Sequence, residues 1–449
     1  MASMTIRTDE AYARELDAAD PLSALRAEFD IPTRRALTGT GAGFSPEEST
    51  EPGDSPCIYL CGNSLGCMPR RAREAVIRQL DDWSMLGVEG HRHGRDPWLC
   101  FHERFRGPLS RLVGATEREV VAMNSLTANL HLLMMSFYRP TRERYRIVIE
   151  DSAFPSDSYA VCSQAEAHAR YAGFDPASAV VRLTPAPGES SLKTQDVARE
   201  IDRLGGSVAM VLLGAVNYLT GQWLDMPGIT SQCRSRGIGV GWDLAHAIGN
   251  VPMSLHDWGA DFAVWCSYKY LNAGPGAVGG AFVHERHLAD RTLPRLAGWW
   301  GNDPQTRFQM SKTFVPVERA DAWSLSNPPI LSMAPLIASL DLFDRARIGA
   351  LRQKSLALTD YLERLVDRIN AESRGGTIGL LTPRDPEARG CHLSMTLPGD
   401  ADAAMLALRR AGIICDFREP NVFRFAPVPL YNTFTDVHRT AAALRAIVA

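Results

Sequence analysis

The sequence predicts an α/β protein: a large domain built on a mostly parallel sheet covered by helices, followed by a smaller α+β domain. Three observations carry this expectation. Short apolar runs alternate with helical patterns between about residues 119 and 283. After residue 330 the texture changes to long helical periodicity. The length, 449 residues, exceeds what one hydrophobic core usually serves.

The N-terminal twenty residues are polar and include Asp9, Glu10, Glu15 and Asp17. They have neither the apolar core of a secretion signal nor the acid-poor character of a transit peptide. Leu22, Leu25 and Phe29 are spaced i, i+3, i+7 among charges, which puts them on one face of a helix. An N-terminal helical arm is therefore expected. Residues 38–56, rich in Gly, Ser, Thr, Pro and Glu, read as an exposed loop.

Seven apolar runs follow, at 120–123, 145–149, 180–183, 208–213, 238–242, 262–266 and 277–283. Helical patterns at 128–137, 195–204 and 228–236 separate several of them. Apolar strands alternating with helices are the pattern of a sheet buried on both faces. Beyond it, 333–369 reads as one long helix and 372–390 as an exposed loop. A run at 391–397, a helix at 401–410, two short strands near Ile414 and Val422 and a terminal helix complete the chain. The expected division is an arm and loop over 1–57, a large cofactor domain over 58–330 and a small domain over 331–449.

Composition limits the function classes. Hydrophobic residues are 45% and charged residues 22%, an ordinary globular balance. A net charge of −3 gives no electrostatic reason to expect nucleic acid or an anionic membrane as partner. No apolar run reaches the roughly 18 residues of a membrane span. The nine cysteines include no CxxC pair and fit free thiols in a reducing compartment, so a cytoplasmic location is expected.

The chemistry concentrates in Asp243-Leu244-Ala245-His246 and Ser267-Tyr268-Lys269. Asp243 follows one predicted strand and Lys269 the next, so both fall at the carboxyl edge of the sheet, where open α/β sheets bind ligands. Pyridoxal phosphate needs a lysine to hold its aldehyde and an acid to keep its pyridine nitrogen protonated. Singly, Lys269 reads equally as a solvated loop lysine and Asp243 as a helix cap. The neighbours Trp265, Tyr268 and Tyr270, the small-residue stretch 272–280 and the pairing itself favour the cofactor.

Asn124-Ser125-Leu126-Thr127 stands between a strand and a helix, where backbone N–H groups and the Thr127 hydroxyl can cradle a phosphate. The plain alternative is a Ser/Thr cap. The next strand is expected to end at Phe154-Pro155-Ser156-Asp157, with Phe154 stacked on the cofactor face or packed in the core. His91, His93 and His102 have no completing ligand pattern, so no metal is expected.

Gly62-Asn63-Ser64-Leu65-Gly66, 129–133, 154–157, Thr220-Gly221-Gln222, 243–246, His256-Asp257-Trp258-Gly259, 267–274, Ser326-Asn327-Pro328-Pro329-Ile330, Arg424 and 426–432 together resemble kynureninase, from about residue 58 onward. The resemblance implies the type I fold of pyridoxal-phosphate enzymes and hydrolytic cleavage of a kynurenine to an anthranilate and alanine, within tryptophan catabolism. It implies that Lys269 holds the cofactor, with Leu126, Thr127, Tyr268 and His246 around phosphate and ring. Asp243 pairs with the pyridinium, Phe154 stacks and Asp157 supports the ring. Trp299 and Asn327 reach in from the second subunit of a homodimer. Arg424 binds the α-carboxylate. Tyr268 is the candidate proton relay. His91, Ser326 and Asn327 match the set of relatives that prefer a 3-hydroxylated substrate.

One position departs from the pattern. Gly214 stands where many relatives carry a serine near the cofactor, which removes a hydrogen bond there. Two other readings are weighed. A cysteine desulfurase or aminotransferase of the same fold would share Lys269 and Asp243 but not need Trp299 and Asn327. A non-catalytic cofactor-binding sensor would usually carry a basic DNA-binding segment, and none is evident.

Overall fold

The computed structural model describes residues 7–38, 40–41 and 55–449. Seven strands build the central sheet: β1 (Val120–Ala122), β2 (Arg146–Glu150), β3 (Val180–Leu183), β4 (Val208–Gly214), β5 (Gly239–Asp243), β6 (Phe262–Trp265) and β7 (Gly280–Val283). Their spatial order is β1-β7-β6-β5-β4-β2-β3. Strands β2 through β6 are parallel, and β7 is antiparallel to both β1 and β6. All seven apolar runs thus become strands of one sheet.

Alternate residues of β2 show why both faces are covered. Ile147 and Ile149 point into one core, with Leu130, Leu133, Val161 and Ala165 of helices α3 (Leu126–Phe137) and α4 (Pro155–Ala172). Val148 points into the other, with Val197, Ile201 and Ile229 of α5 (Thr194–Leu204) and α6 (Met226–Ser235). Two earlier helices are α1 (Glu10–Ala19) and α2 (Arg70–Leu86). Strand order reverses between β2 and β4, because β3 lies outside β2 on one side while β4 lies on the other. That reversal opens a crevice beyond the carboxyl ends of the strands.

The pattern at 333–369 is two helices, not one: α7 (Ile330–Ala346) and α8 (Ile348–Glu372). The chain turns at Arg347, whose φ of 65° no helix accommodates. Apolar periodicity runs on through the turn, so the pattern hides it. Leu336, Leu340 and Phe343 of α7 join the central core, whereas Leu358, Leu362 and Leu365 of α8 join a separate one. This third core lies under an antiparallel sheet of β8 (Gly379–Leu380), β9 (Leu393–Thr396), β10 (Asp416–Arg418) and β11 (Val422–Phe425), ordered β8-β9-β11-β10. Helices α9 (Ala401–Arg410) and α10 (Phe434–Val448) cover it.

Three other expectations change. Residues 22–29 form a short 3-10 turn, Ser23–Glu28, and then a strand, Phe29–Asp30; Leu25 and Phe29 are buried, but the α-helix of the arm lies earlier, at α1. Residues 372–390 are not a free loop. They contain β8, and Ile378, Thr382 and Arg389 are buried. Phe154 does not end a strand: β2 stops at Glu150, and Phe154 is the residue before α4. Most of the expected loop at 38–56 lies outside the described residues. Among the described residues no helix is long and apolar enough to cross a membrane.

The N-terminal arm is fastened to the C-terminal part of the chain. The Asp17 carboxylate accepts from Phe434 N at 2.6 Å and Thr435 N at 3.0 Å, capping α10. Asp20 pairs with Lys354 of α8 at 2.7 Å, and both side chains are almost fully buried. A buried pair is costly to break from one side, since the survivor is left charged and dry. Asp20→Asn is therefore expected to cost about 3 kcal/mol of unfolding free energy in urea titration. Asp9→Ala, at the exposed N-cap of α1, should lower the urea midpoint much less.

Candidate active site

A cleft enclosing about 630 Å3 of empty space opens at the strand-order reversal. Three acids form its floor: Glu150 ends β2, Asp243 ends β5, and Asp157 stands in the first turn of α4. Gly214 ends β4 directly opposite Asp243. Lys269 enters from the loop after β6, and its Nζ lies 3.0 Å from His246 Nε2. Phe154 and Tyr268 flank it, with ring centres 5.6 Å and 6.0 Å from Nζ.

The Lys269 loop is held by the Gly62–Gly66 motif. Gly66 N donates to Tyr268 O at 2.8 Å. A Cβ on Gly66 would stand 2.4 Å from Lys269 O, so only glycine permits this approach.

Burial and charge set the protonation pattern. Burial and the adjacent Lys269 charge hold the His246 pKa far below the usual range, so its ring is neutral and Nε2 can accept from Lys269. Burial and the neighbouring Asp243 push Asp157 well up. Burial also raises Glu150, to about 7, against hydrogen bonds from Asn217 Nδ2 at 2.5 Å and Gly214 N at 2.9 Å. Asp157 Oδ1 and His246 Nδ1 have no hydrogen-bond partner although both are buried.

The cleft also has a place for anions. The N-termini of α3 and α4 converge there, and Thr127 Oγ1 and Ser156 Oγ lie 2.6 Å apart. Two helix N-termini and two hydroxyls suit a phosphate. An anion cradle, a lysine and the neighbouring acids Asp243 and Asp157 fit pyridoxal phosphate, whose phosphate, aldehyde and pyridinium need those partners.

The structure brings together Leu126, Thr127, Phe154, Asp157, Gly214, Asp243, His246, Tyr268 and Lys269. Trp265 and Tyr270, expected around Lys269, instead pack in the central core, where Trp265 fills the space beside Gly280. Arg424 is buried behind the cleft and touches it through Tyr218. His91, Ser326, Asn327 and Trp299 do not line the cleft of their own chain. His91 stands edge-on to Trp98, Ser326 and Asn327 are exposed, and Trp299 is 41% exposed. Sequence reasoning missed Glu150, Ser156, Asn217 and Tyr218. Glu150, an acid closing an otherwise apolar strand, was the available signal.

His91, His93 and His102 do not converge: His93 pairs with Glu89 on the surface, and His102 lies inside beside Trp300. Among the described residues one histidine–carboxylate group has ligand spacing, Glu119 with His256 and His284. Its carboxylate already accepts from Thr116, His256 and the Glu285 N–H, which ties β1 to the ends of β6 and β7.

Glu150 makes the floor pH-sensitive. An acid whose pKa is raised on folding binds more protons folded than unfolded, so stability falls as pH rises from 4.5 to about 7. Glu150→Gln abolishes that slope. Its stability relative to wild type should improve by roughly 3 kcal/mol between pH 4.5 and pH 8, read from urea midpoints at the two values.

The family model for the kynureninase C-terminal domain matches residues 351–444. The chain is 56% identical to a kynureninase of Salinispora tropica, over 98% of this chain and 97% of that one. It is 51% identical to a kynureninase of Myxococcus xanthus, over 97% and 96%. A kynureninase of Nematostella vectensis is 45% identical over 97% and 93%. In structure the chain is similar to a cystine C-S lyase, with a TM-score of 0.71 at 18% identity, over 88% of this chain and 98% of that one. A cysteine desulfurase of Thermococcus onnurineus gives 0.70 at 16% identity, over 87% and 94%.

Proposed function

The chain belongs to the kynureninase family of pyridoxal-phosphate hydrolases, and from that premise we propose that it cleaves 3-hydroxykynurenine in preference to kynurenine, in tryptophan catabolism. The general reaction of the family adds water across the Cβ–Cγ bond of a kynurenine and releases an anthranilate and alanine. What carries the assignment of roles is the cleft itself, where Lys269 Nζ, neutral His246 and the three-acid floor meet the two helix N-termini.

Bound pyridoxal phosphate supplies an electron sink for negative charge at the substrate α-carbon. Lys269 would hold the cofactor at rest and, as a free amine, would move the α-proton. Neutral His246, 3.0 Å from Nζ, accepts the lysine's hydrogen bond and so orients its amine. Asp243, with Asp157 beside it, holds the proton on the pyridine nitrogen. Thr127, Leu126 N–H and Ser156 hold the phosphate. Phe154 covers the ring, Tyr268 relays a proton at the leaving carbon, and Arg424 holds the α-carboxylate. A desulfurase or aminotransferase reading has only the fold in its favour, at 16–18% identity.

We place the cofactor between the large domain, 58–330, and the small one, 331–449, which contribute Lys269 and Arg424 respectively. The protein acts as a homodimer with shared sites, and Trp299 and Asn327 serve the partner's cleft. The support is exposed apolar surface: Phe308 packs edge-on against Trp299 and both are exposed, and Trp83 and Leu331 line a second exposed hollow. Trp300 is buried, so only Trp299 of the pair is available to a partner. Nine cysteines without a disulfide suit a cytoplasmic enzyme.

A Lys269→Ala protein and a Trp299→Ala protein should each be nearly inactive, and their exchanged mixture should recover about a quarter of wild-type activity, since one site in four of random dimers is intact on both sides. No recovery after verified exchange removes the shared site. The substrate preference rests on His91, Ser326 and Asn327, whose polar groups can bond a ring hydroxyl. Sites built for a hydroxyl reject analogues without it. Wild type should favour 3-hydroxykynurenine in kcat/KM by about tenfold or more, and Asn327→Thr should shrink that ratio. Preference for unsubstituted kynurenine, or an unchanged ratio, refutes this reading of the three residues.

A further inference from the structure

Arg424 lies on β11, directly opposite Asp416 on β10. Only 1% of its surface is exposed. Its Nη2 donates to Asp416 Oδ2 and its Nη1 to the carbonyl of Tyr218, a residue lining the cleft. The third nitrogen, Nε, is buried and has no partner. A buried guanidinium with one edge pinned by protein and Nε idle is an incomplete site, because an unmet buried donor costs its full desolvation.

The charges agree with the geometry. Asp416 also takes Arg418 Nη1 at 2.8 Å, so two guanidiniums share one carboxylate and one positive charge is left over. Nearby His392 adds none: burial, Arg424 and Lys269 drive its pKa to about 3. The idle Nε therefore asks for an anionic acceptor.

We propose that Asp416 is a positioning residue that pins Arg424 from behind, so that the guanidinium meets the substrate α-carboxylate side-on through Nε. This rests on the reading of Arg424 as the carboxylate site. Asp416 touches neither substrate nor cofactor. It fixes one Nη while the Tyr218 carbonyl fixes the other, leaving a single orientation of a side chain that otherwise has several. The substrate's orienting contact is thereby set by the small-domain sheet and by the turn after β4 together.

The test is a double-mutant cycle on the cofactor-loaded enzyme with kynurenine as substrate, with visible absorbance of the cofactor and thermal midpoint recorded for each variant. Asp416→Asn should raise KM by about tenfold or more and keep kcat within about threefold, the pattern of lost uniform binding. Arg424→Ala should raise KM further. The double variant should match Arg424→Ala alone, since Asp416 acts only through Arg424. If Arg424→Ala leaves KM unchanged, the carboxylate reading fails and the proposal with it. If Arg424→Ala raises KM but Asp416→Asn does not, or the two effects add, the proposal alone is overturned. Should Asp416→Asn not fold, Asp416→Glu takes its place: one extra methylene displaces the guanidinium, and KM should rise by about threefold or more. Wild-type KM in that variant overturns the proposal.

Discussion

Three carboxyl groups and one lysine amine share the dry floor of a cleft, and that imbalance organises the rest of the site. Glu150, Asp157 and Asp243 cannot all be charged at such separation from water, so burial and mutual repulsion raise Glu150 and Asp157. A cationic ring nitrogen among these acids would relieve the imbalance. The same cleft also presents two helix N-termini, with N–H groups and hydroxyls, to an anion. A molecule carrying both a phosphate and a pyridinium would find a partner there for each charge.

The sheet makes this pairing of charges possible. Parallel strands end together, so β2, β4 and β5 deliver Glu150, Gly214 and Asp243 to one edge. The reversal of strand order opens space there, and the helices that follow the strands begin at that edge with their positive ends. Gly214 belongs to this arrangement. Its missing side chain leaves room for Glu150, whose Oε1 would lie 3.2 Å from a Cβ at that position. The acid occupies the space where a serine hydroxyl would otherwise compete, and it accepts the Gly214 N–H instead.

Legibility in the sequence followed how local the signal was. That Lys269, Asp243 and Thr127 fall together at one sheet edge was readable because each sits within three residues of the end of an apolar run or the start of a helical one, and strand ends fix direction. The seven strands were readable because burial on both faces leaves continuous apolar runs. The break at Arg347 was not, because two packed helices carry the same apolar period as one. Nor was the 3-10 turn at 23–28, whose buried Leu25 and Phe29 satisfy a helical spacing without a helix. Trp265 and Tyr270 were misplaced for a related reason. The sequence neighbours of Lys269 alternate between the cleft and the core once the chain leaves a strand. Glu150, Asn217 and Asp416 depend on pairings across the fold that no local pattern encodes.

Arg424 shows what the second sheet adds. The floor of the cleft comes entirely from the first sheet and its helices, and it specifies the cofactor end. The arginine comes from β11, more than 150 residues beyond Lys269 in sequence. Ser394 of β9 donates to Leu219 O, Thr382 donates to Thr220 O, and Arg424 donates to Tyr218 O, so three consecutive carbonyls of one turn are held by the second sheet. The same turn is anchored to the floor through Asn217 and Glu150. The first sheet's acid and the second sheet's arginine therefore hold opposite sides of one loop. Their separation is set by that loop and not by side-chain reach, which fixes the spacing between Glu150 and Arg424.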